Sequence, residues 1–383
     1  MKTVRLGVIG LGNIGRHHAD YLRAGRVARA ELVAVCDPKP AACARYAPAR
    51  ACQDAASLLA SGTVDAVIIA TPHYLHPILG MAALEAGLHL MVEKPIAAHL
   101  ADAERLITVA KLHPKQVFAA MFQLRVEPRY QRIREWIQRG ELGELVRVNW
   151  IVTDWYRTEA YYASSGWRAT WKGEGGGVLL NQCLHNLDTL TWLLGSPARV
   201  RGFCQLGRFH DIEVEDDVSS YLEWPNRATG VFISSTGEAP GINRLEISGT
   251  RGRLVLENNR LLFTRNAEDM IAFSRNAESG FARPDCATTE IPIDNVENPH
   301  AVVTENFVSA ILDGAPLIAP GEQGRASVEL ANAMLYSSLV SQTVELPLDG
   351  AAYERKLQQL IAESRHEKRV VKRTEDLAKS FNR

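Results

Sequence analysis

A glycine-rich turn near the N-terminus places the strongest constraint on how this chain can fold. Gly10, Gly12 and Gly15 fit the pattern G-x-G-x-x-G. The turn follows an apolar run over residues 4–9 and opens a helical pattern that reaches Leu22. A strand, a glycine turn and a helix, in this order, bind a dinucleotide with its pyrophosphate at the helix N-terminus. The stretch therefore predicts a dinucleotide-binding βαβ unit, with a structural turn in a nucleotide-free domain as the alternative.

Further apolar segments alternate with helical patterns up to residue 124. Strands are predicted over residues 31–36, 65–70, 88–92 and 116–121, and helices over residues 77–86 and 100–112. Near-continuous apolar strands are typical of a parallel sheet that helices cover on both faces. The alternation predicts a doubly wound parallel sheet, a Rossmann fold, and we assign residues 1–124 to this domain.

Ligands of such sheets bind outside the carboxyl ends of the strands. Polar residues follow each of the predicted strand ends, so we expect them to converge on one crevice with the glycine turn. The predicted cofactor-binding residues are Gly10, Gly12, Asn13, Ile14, Gly15, Asp37, Thr71, Pro72, His76, Glu93, Lys94 and Gln123.

Asp37 ends the second strand, 22 residues beyond Gly15. A carboxylate at this place can accept hydrogen bonds from the adenosine ribose and repels a 2′-phosphate. Asp37 therefore favours NAD over NADP as cofactor, although Lys39 lies close by. A turn residue before Pro38 is the simpler interpretation, and both roles are compatible.

The pattern changes after residue 125. Strands are predicted over residues 145–153, 198–209, 218–224, 229–236, 244–249, 252–257 and 260–265, with helices over 128–139, 300–312 and 324–341. Several of the strands alternate with period two, as in a sheet with one covered face. Residues 125–383 are therefore predicted to form an α+β substrate-binding domain with a mostly antiparallel sheet. Its C-terminal helices can pack on that sheet or back on the first domain, and residues 356–373 are predicted as a solvated helix.

Lys94 and His185 are the candidate catalytic residues. Lys94 follows a parallel strand at the cofactor edge, where an ammonium can hold a substrate hydroxyl, whereas an arbitrary loop lysine lies at the surface. Residues 178–194, projected on a helix, place His185 on a polar stripe with Asn181 and Asp188. This stripe predicts a tuned acid/base, and a solvent-exposed helix face is the alternative.

An aromatic and basic loop over residues 155–172 contains Trp167 and Arg168. Such side chains suit polyhydroxylated ligands, and packing between domains is the alternative interpretation. Arg125 follows the fifth predicted strand near the same edge. The predicted substrate-binding residues are Lys94, Asn181, His185, Arg125, Trp167 and Arg168.

Composition and charge exclude several other classes. The net charge is −1, so general nucleic-acid affinity, which needs a basic face, is not expected. The six cysteines have no C-x-x-C spacing and are expected to be free thiols in a reducing cytoplasm. No metal-ligand spacing and no long apolar run occur, so we expect no metal, no membrane span and no signal peptide.

The combined motifs resemble the glucose-fructose oxidoreductase, inositol dehydrogenase and rhizopine catabolism family of dehydrogenases. The resemblance covers nearly the whole chain and rests on the following stretches: Gly10-x-Gly12-x-x-Gly15, Thr71-Pro72 with His76, Glu93-Lys94-Pro95, and a glycine run followed by Asn181-x-x-x-His185-x-x-Asp188.

This resemblance implies a Rossmann domain and a C-terminal domain whose open sheet often mediates contacts in a homodimer or homotetramer. It also implies NAD(P)-dependent hydride transfer at a secondary hydroxyl of a sugar, glycoside, sugar nucleotide or cyclitol, with Lys94 and His185 in the catalytic roles. Asn181 departs from the aspartate of the inositol dehydrogenases, and His73 departs from a common asparagine. Two alternatives stay open: an NAD-dependent glycoside hydrolase or lyase that oxidises the sugar transiently, and a non-catalytic NAD(H)-sensing protein.

Overall fold

A six-stranded parallel sheet forms the first part of the computed structural model, which describes residues 2–371. Its strands are β1 (Val4–Ile9), β2 (Ala30–Cys36), β3 (Arg50–Cys52), β4 (Ala66–Ile69), β5 (His89–Val92) and β6 (Phe118–Ala120). Its helices are α1 (Asn13–Arg23), α2 (Pro40–Ala44), α3 (Ala55–Leu59), α4 (Leu75–Glu85) and α5 (Leu100–Leu112).

The strand order β3-β2-β1-β4-β5-β6, with every pair parallel, confirms the predicted doubly wound sheet. The order reverses between β1 and β4, so the carboxyl ends of these strands form the crevice in which such folds bind ligands. The short elements β3, α2 and α3 are not among the sequence predictions, because three to five residues are too few to show a hydrophobic period.

A nine-stranded mixed sheet forms the second part. Its strands are β7 (Leu145–Val152), β8 (Arg199–Leu206), β9 (Glu215–Glu223), β10 (Thr229–Ser235), β11 (Asn243–Gly249), β12 (Gly252–Glu257), β13 (Arg260–Asn266), β14 (Cys286–Ile291) and β15 (Val344–Glu345). The helices after α5 are α6 (Pro128–Gln138), α7 (Glu159–Ala163), α8 (Leu184–Leu194), α9 (Met270–Asn276), α10 (Pro299–Asp313), α11 (Gly324–Val340) and α12 (Gly350–Glu363). Two 3₁₀ turns cover Gln123–Val126 and Gly321–Gln323.

This sheet has the order β14-β13-β12-β11-β7-β10-β9-β8-β15 and is antiparallel except for the pair β7 and β10. A large apolar core joins one face of the sheet to α6, α8, α11 and α12. The other face carries exposed aromatic side chains such as Phe203 and Tyr221. The predicted mostly antiparallel sheet with one covered face is therefore confirmed, although β14, β15 and α9 are additional elements.

The C-terminal helices pack on both parts of the chain. Phe307 and Val308 of α10 lie in the core under β1 and α1 of the first sheet. By contrast, α11 packs on β8 and α8 of the second part and also contacts α5. The C-terminal helix covers Gly350–Glu363, so the predicted helix over residues 356–373 is confirmed up to Glu363 and wrong over residues 364–371. Residues 372–373 of that prediction lie outside the described residues. The boundary between residues 124 and 125 stays a prediction.

The predicted helix over residues 178–194 is wrong in its first third, because α8 begins at Leu184. Val178 N donates to the backbone oxygen of Glu215 (3.0 Å), and Gly177 N and Leu179 N donate to its carboxylate (2.8 and 3.1 Å). These amide groups bind strand β9 instead of the preceding helical turn. Asn181 therefore lies in a turn, and the helical stripe drawn from the sequence does not exist at this residue.

Neither a membrane helix nor a metal cluster is found within residues 2–371. No helix in that range is long and apolar enough to cross a bilayer. The same range contains no group of three or more His, Cys, Asp or Glu side chains that could hold a metal ion.

Candidate active site

The glycine turn after β1 has the backbone geometry that a pyrophosphate requires. Gly10 has φ +91°, and a Cβ at Gly15 would lie 1.8 Å from the Gly10 carbonyl oxygen. A Cβ at Gly12 would instead point into open space, with no atom within 4 Å. No side chain caps the N-terminus of α1, and its first turn contains no acidic residue. The turn therefore leaves an open cradle at a helix N-terminus, which suits the phosphates of a dinucleotide.

Asp37 connects the end of β2 to this turn. Its carboxylate accepts hydrogen bonds from Leu11 N and from Lys39 N, both at 2.9 Å. The side chain is half-buried at the rim of the crevice. These two bonds fix the carboxylate at the place where the adenosine ribose is predicted to bind, and the ribose contact itself stays a prediction.

The first turn of α1 carries two further predicted cofactor residues. Asn13 is exposed, and its side-chain oxygen accepts from Arg16 (3.1 Å). Ile14 is half-buried beside it. Both lie at the helix N-terminus next to the cradle, and their contact with the cofactor stays a prediction.

The loop after β4 is held by His76. Its Nε2 lies 2.7 Å from the Thr71 carbonyl oxygen and its Nδ1 lies 2.6 Å from that of Pro95. The imidazole is buried and its ring joins two loops, and a direct contact of His76 with the cofactor stays a prediction. Thr71 Oγ1 is buried and has no hydrogen-bond partner in the described chain, and Pro72 follows it, half-buried. An unpartnered hydroxyl at the crevice is what a polar ligand group would satisfy.

Glu93 at the end of β5 is turned into the protein rather than into the crevice. His18 Nε2 lies 2.7 Å from its carboxylate, and the Lys94 backbone nitrogen donates to it (3.1 Å). Burial by itself would raise the pKa of Glu93, but the hydrogen bond and charge of His18 lower it to about 2. The side chain is 4% exposed, and a direct contact of this carboxylate with the cofactor stays a prediction.

The hydrogen bond between Glu93 and His18 is part of a longer series of polar contacts in the first domain. His18 Nδ1 lies 2.6 Å from the Tyr21 hydroxyl, which lies 2.7 Å from Thr304 Oγ1 on α10. A buried polar chain thus joins the lysine loop to α1 and α10. Sequence reasoning missed His18 because its partners are distant along the chain.

Lys94 extends from the same loop towards the second domain. Its Nζ donates to the backbone oxygen of Asn181 (2.7 Å). Burial lowers the pKa of this ammonium, while the charge of Glu93 raises it. The lysine is therefore anchored between the domains with its charge at the carboxyl edge of the first sheet.

His185 lies in the first turn of α8 and is 9% exposed. Its Nε2 lies 3.4 Å from the side-chain nitrogen of Gln123. Both His185 Nδ1 and Gln123 Oε1 are buried with no hydrogen-bond partner among the described residues. Burial, and then the charge of Lys94, lower the pKa of His185 well below its usual range. The imidazole is therefore neutral at physiological pH, and its Nδ1 has no hydrogen-bond partner among the described residues.

Asp188 does not reach His185, contrary to the sequence prediction. Its carboxylate accepts from Arg125 Nε (2.9 Å) and Nη2 (2.7 Å), and both side chains are buried. Arg125 also donates to Gln323 and to the Ile318 carbonyl oxygen (3.3 Å). The Arg125 guanidinium thus forms a buried ion pair that holds α8 against the turn after β6, and its contact with substrate stays a prediction.

The aromatic loop closes the site from the second domain. Trp167 packs edge-on against His73, with ring centroids 5.5 Å apart. The Arg168 guanidinium lies 4.7 Å from the Trp167 ring centroid and donates to the Tyr161 hydroxyl (2.8 Å). Trp167 and Arg168 are half-buried, and their role in substrate binding stays a prediction.

Glu174 is a further residue that sequence reasoning missed. It stands in the glycine run before α8, is 2% exposed, and its carboxylate binds the side chain of Asn181. A lone carboxylate between Gly173 and Gly175 was the available signal, because glycine on both sides permits a close approach of neighbouring backbone.

The fold and site together define a two-domain oxidoreductase that depends on a nicotinamide dinucleotide. The glycine cradle lies at the switch point of the parallel sheet, and Lys94 at its edge is near enough to His185 for its charge to lower the pKa of the imidazole. Comparison with known families gives the same class. Residues 4–121 match the oxidoreductase family with the NAD-binding Rossmann fold, and residues 130–255 match the GFO/IDH/MocA C-terminal domain. The chain belongs to the GFO/IDH/MocA family of NAD-binding oxidoreductases.

Known relatives resemble the chain over most of its length. The inositol 2-dehydrogenase of Rhizobium meliloti is 28% identical over 344 residues, which cover 88% of this chain and 97% of that protein. The 1,5-anhydro-D-fructose reductase of Ensifer adhaerens is 25% identical over 350 residues, covering 89% and 98%. The crystal structure of the WlbA dehydrogenase from Bordetella pertussis, in complex with NADH and UDP-GlcNAcA, has 26% identity and a TM-score of 0.76 over 91% of this chain and 100% of that one.

Proposed function

We propose that the chain transfers a hydride between NAD and a secondary hydroxyl of a sugar, glycoside, sugar nucleotide or cyclitol. The pairing of an anchored Lys94 with a neutral, open His185 carries this proposal. The relatives support the substrate class, because their names refer to inositol, anhydrofructose and a sugar nucleotide, all polyhydroxylated rings.

His185 acts as the general base in the oxidation. We infer that Nδ1 accepts the hydroxyl proton, with the Gln123 carboxamide turned from its orientation in the structure so that Oε1, rather than the side-chain nitrogen at 3.4 Å, accepts from Nε2–H. The depressed pKa keeps a lone pair available, and the imidazole takes up the hydroxyl proton as the carbon that bears this hydroxyl loses its hydride. In the reverse direction the same nitrogen returns the proton.

Lys94 holds the reacting oxygen. Its ammonium can donate to a substrate hydroxyl while a second N–H stays on the Asn181 carbonyl oxygen. The charge stabilises the negative charge that develops on this oxygen as its proton leaves. When bound, NAD⁺ supplies the acceptor for the hydride.

The cradle fits this cofactor. Gly10, Gly12 and Gly15 leave room for a pyrophosphate, and the α1 N-terminus has no competing side-chain cap. Asp37, at the rim, favours NAD because a carboxylate repels a 2′-phosphate.

A panel of cyclitols, aldoses, glycosides and sugar nucleotides tests the proposal. Reduced cofactor is followed by absorbance, and the product of any active compound is assigned by NMR. We expect at least one polyol to reduce NAD⁺ to NADH with formation of a ketone. Release of a sugar without accumulation of NADH would instead indicate cleavage by transient oxidation, and NADH binding without turnover on any compound would refute the proposal.

We also propose that the chain forms a homodimer or homotetramer through the second sheet. Its uncovered face exposes Phe203 on β8 and Tyr221 on β9, at 57% and 40%. Apolar groups gathered on one sheet face are typical of a protein contact. Light scattering of the wild type and of Phe203→Glu should give a multiple of 42.3 kDa for the former and a smaller assembly for the latter. A wild-type monomer would refute this proposal.

A further inference from the structure

Glu174 connects three segments that surround the substrate crevice. Its Oε2 accepts from Ala169 N (2.5 Å), and its Oε1 accepts from the Asn181 side-chain nitrogen. Its backbone oxygen lies 3.1 Å from His73 Nδ1. One buried residue thus links the aromatic loop, the turn before α8, and the loop after β4 in the first domain.

The Ala169 contact holds the aromatic loop in a costly conformation. Ala169 has φ +52°, a left-handed conformation that is unfavourable for a residue with a Cβ, and it directly follows Arg168. The hydrogen bond to the carboxylate satisfies its buried N–H. Glu174 therefore helps to fix the place of Arg168 and Trp167 at the crevice.

The Asn181 contact determines which end of the amide faces the substrate. A carboxylate only accepts hydrogen bonds, so it binds the nitrogen end of the carboxamide and leaves the oxygen end turned away. Asn181 is half-buried, and no hydrogen bond to its Oδ1 exists within the described residues. The backbone oxygen of the same residue holds Lys94 (2.7 Å). Asn181 is thereby anchored at two points beside the reacting group.

We propose that Glu174 is a positioning residue that sets substrate specificity: it fixes the Asn181 carboxamide with Oδ1 as an acceptor for a second substrate hydroxyl, next to the one that Lys94 holds. This inference rests on the proposed function. It narrows the substrate to a vicinal diol, because Asn181 and Lys94 are in direct contact. A site built to bind a hydroxyl discriminates strongly against an analogue that lacks it.

The electrostatic surroundings of Glu174 agree with this role. Burial raises the pKa of Glu174 above its usual value, although the charges of Arg168 and Lys94 and the hydrogen bonds from Ala169 and Asn181 oppose this shift. Both oxygens accept from N–H groups, which is the pattern of an ionised carboxylate. The buried charge is thus supported by two donors and two cations, and it needs no substrate group.

The test changes which hydrogen-bond donors and acceptors residues 174 and 181 present to each other. In Glu174→Gln the introduced amide has one acceptor for two donors, so the Asn181 carboxamide is expected to turn its NH₂ to the crevice. In the double variant Glu174→Gln/Asn181→Asp, the introduced glutamine donates to the introduced aspartate, whose other oxygen again faces the crevice as an acceptor. Glu213→Gln is the matched control, because Glu213 accepts from Trp171 N (2.9 Å) in the same region and does not bind Asn181.

The readout is kcat/KM for the best diol of the panel and for its neighbouring deoxy analogue. We expect Glu174→Gln to lower kcat/KM about 10- to 100-fold for the diol and only slightly for the deoxy analogue, so that the preference for the diol falls by about the same factor. The double variant should recover to within about threefold of the wild type on the diol. The KM for NAD and the activity of Glu213→Gln should not change.

Two results would overturn this inference. One is a Glu174→Gln variant whose ratio of kcat/KM for the diol and the deoxy analogue equals that of the wild type. The other is a double variant that folds but has no higher kcat/KM for the diol than Glu174→Gln. NADH binding and thermal unfolding verify that each variant folds, and the double variant decides the question if the single one is unstable. If the wild type oxidises nothing in the panel, the proposed function itself is refuted. If the wild type is active and Glu174→Gln has the same ratio of kcat/KM for the diol and the deoxy analogue, only the role of Glu174 is refuted.

Discussion

Replacing Glu215 by glutamine should change how the stability of the protein depends on pH. Glu215 is fully buried on β9, and its Oε1 accepts from Gly177 N and Leu179 N. Its Oε2 is buried with no partner in the part of the chain that the structure describes. Burial raises the pKa of Glu215 to about 7 from a usual value of 4.5. Glutamine keeps the Oε1 acceptor for both amide groups but cannot ionise.

The direction of this pH dependence follows from the number of protons that the folded and the unfolded chain bind. Between about pH 4.5 and 7 the folded chain keeps a proton on Glu215 that the unfolded chain has released. The wild type therefore loses stability as the pH rises through this window, and the loss is complete above it. A shift of this size corresponds to about 3 kcal/mol in total, of which about 2–3 kcal/mol falls between about pH 5 and pH 8. Glu215→Gln should lack this loss.

Urea unfolding at several pH values measures the effect. The difference in the free energy of unfolding between Glu215→Gln and the wild type should grow in favour of the variant by about 2–3 kcal/mol from about pH 5 to pH 8. Glu85→Gln, an exposed substitution on α4, should follow the wild type throughout. A Glu215→Gln difference that is independent of pH would refute the reasoning, because Glu215 would then not titrate in this range.

Three further predictions concern other parts of the site. Arg125→Met should destabilise the fold by about 3–5 kcal/mol in urea, because Asp188 stays buried without its partner, and Arg125→Met/Asp188→Leu should be clearly less destabilised. An equal loss in the free energy of unfolding in both variants would show that the unpaired charge of Asp188 is not the cause of the destabilisation. Asp37→Ser should lower the affinity for NADH about tenfold in a fluorescence titration and reduce the difference between the affinities for NADH and NADPH. If the wild type bound NADPH more tightly than NADH, the predicted preference for NAD would be wrong. Gly15→Ala should abolish NADH binding, since its Cβ would lie 1.8 Å from the Gly10 carbonyl oxygen, and unchanged affinity would show that the turn is not the cradle.

Much of the fold is readable from the sequence because its signals are local. The glycine turn, the near-continuous apolar strands and the helices that follow them predict a parallel sheet, and the rule on carboxyl ends then places Lys94 at the crevice. Period-two strands predict the second sheet in the same way. Short elements such as β3 carry too few residues to show any period, and they were found only in the structure.

The partners of the site residues are not readable in this way, because they depend on distant segments. Asp188 has the spacing to reach His185 on a helix, yet it pairs with Arg125, 63 residues away. His18 binds Glu93 across 75 residues. The predicted helix failed at Asn181 because a strand residue, Glu215, captures the preceding amide groups. Helical spacing lists candidate neighbours, and tertiary contacts decide among them.

The turnover of His185→Ala on the best substrate of the panel tests the central claim most directly. Loss of a positioned general base should lower kcat by about 10²–10⁴-fold, while NADH affinity stays within about twofold of the wild type, because His185 lies on α8 of the second domain and away from the glycine cradle. Wild-type turnover in this variant would contradict the account and exclude His185 as the acid/base.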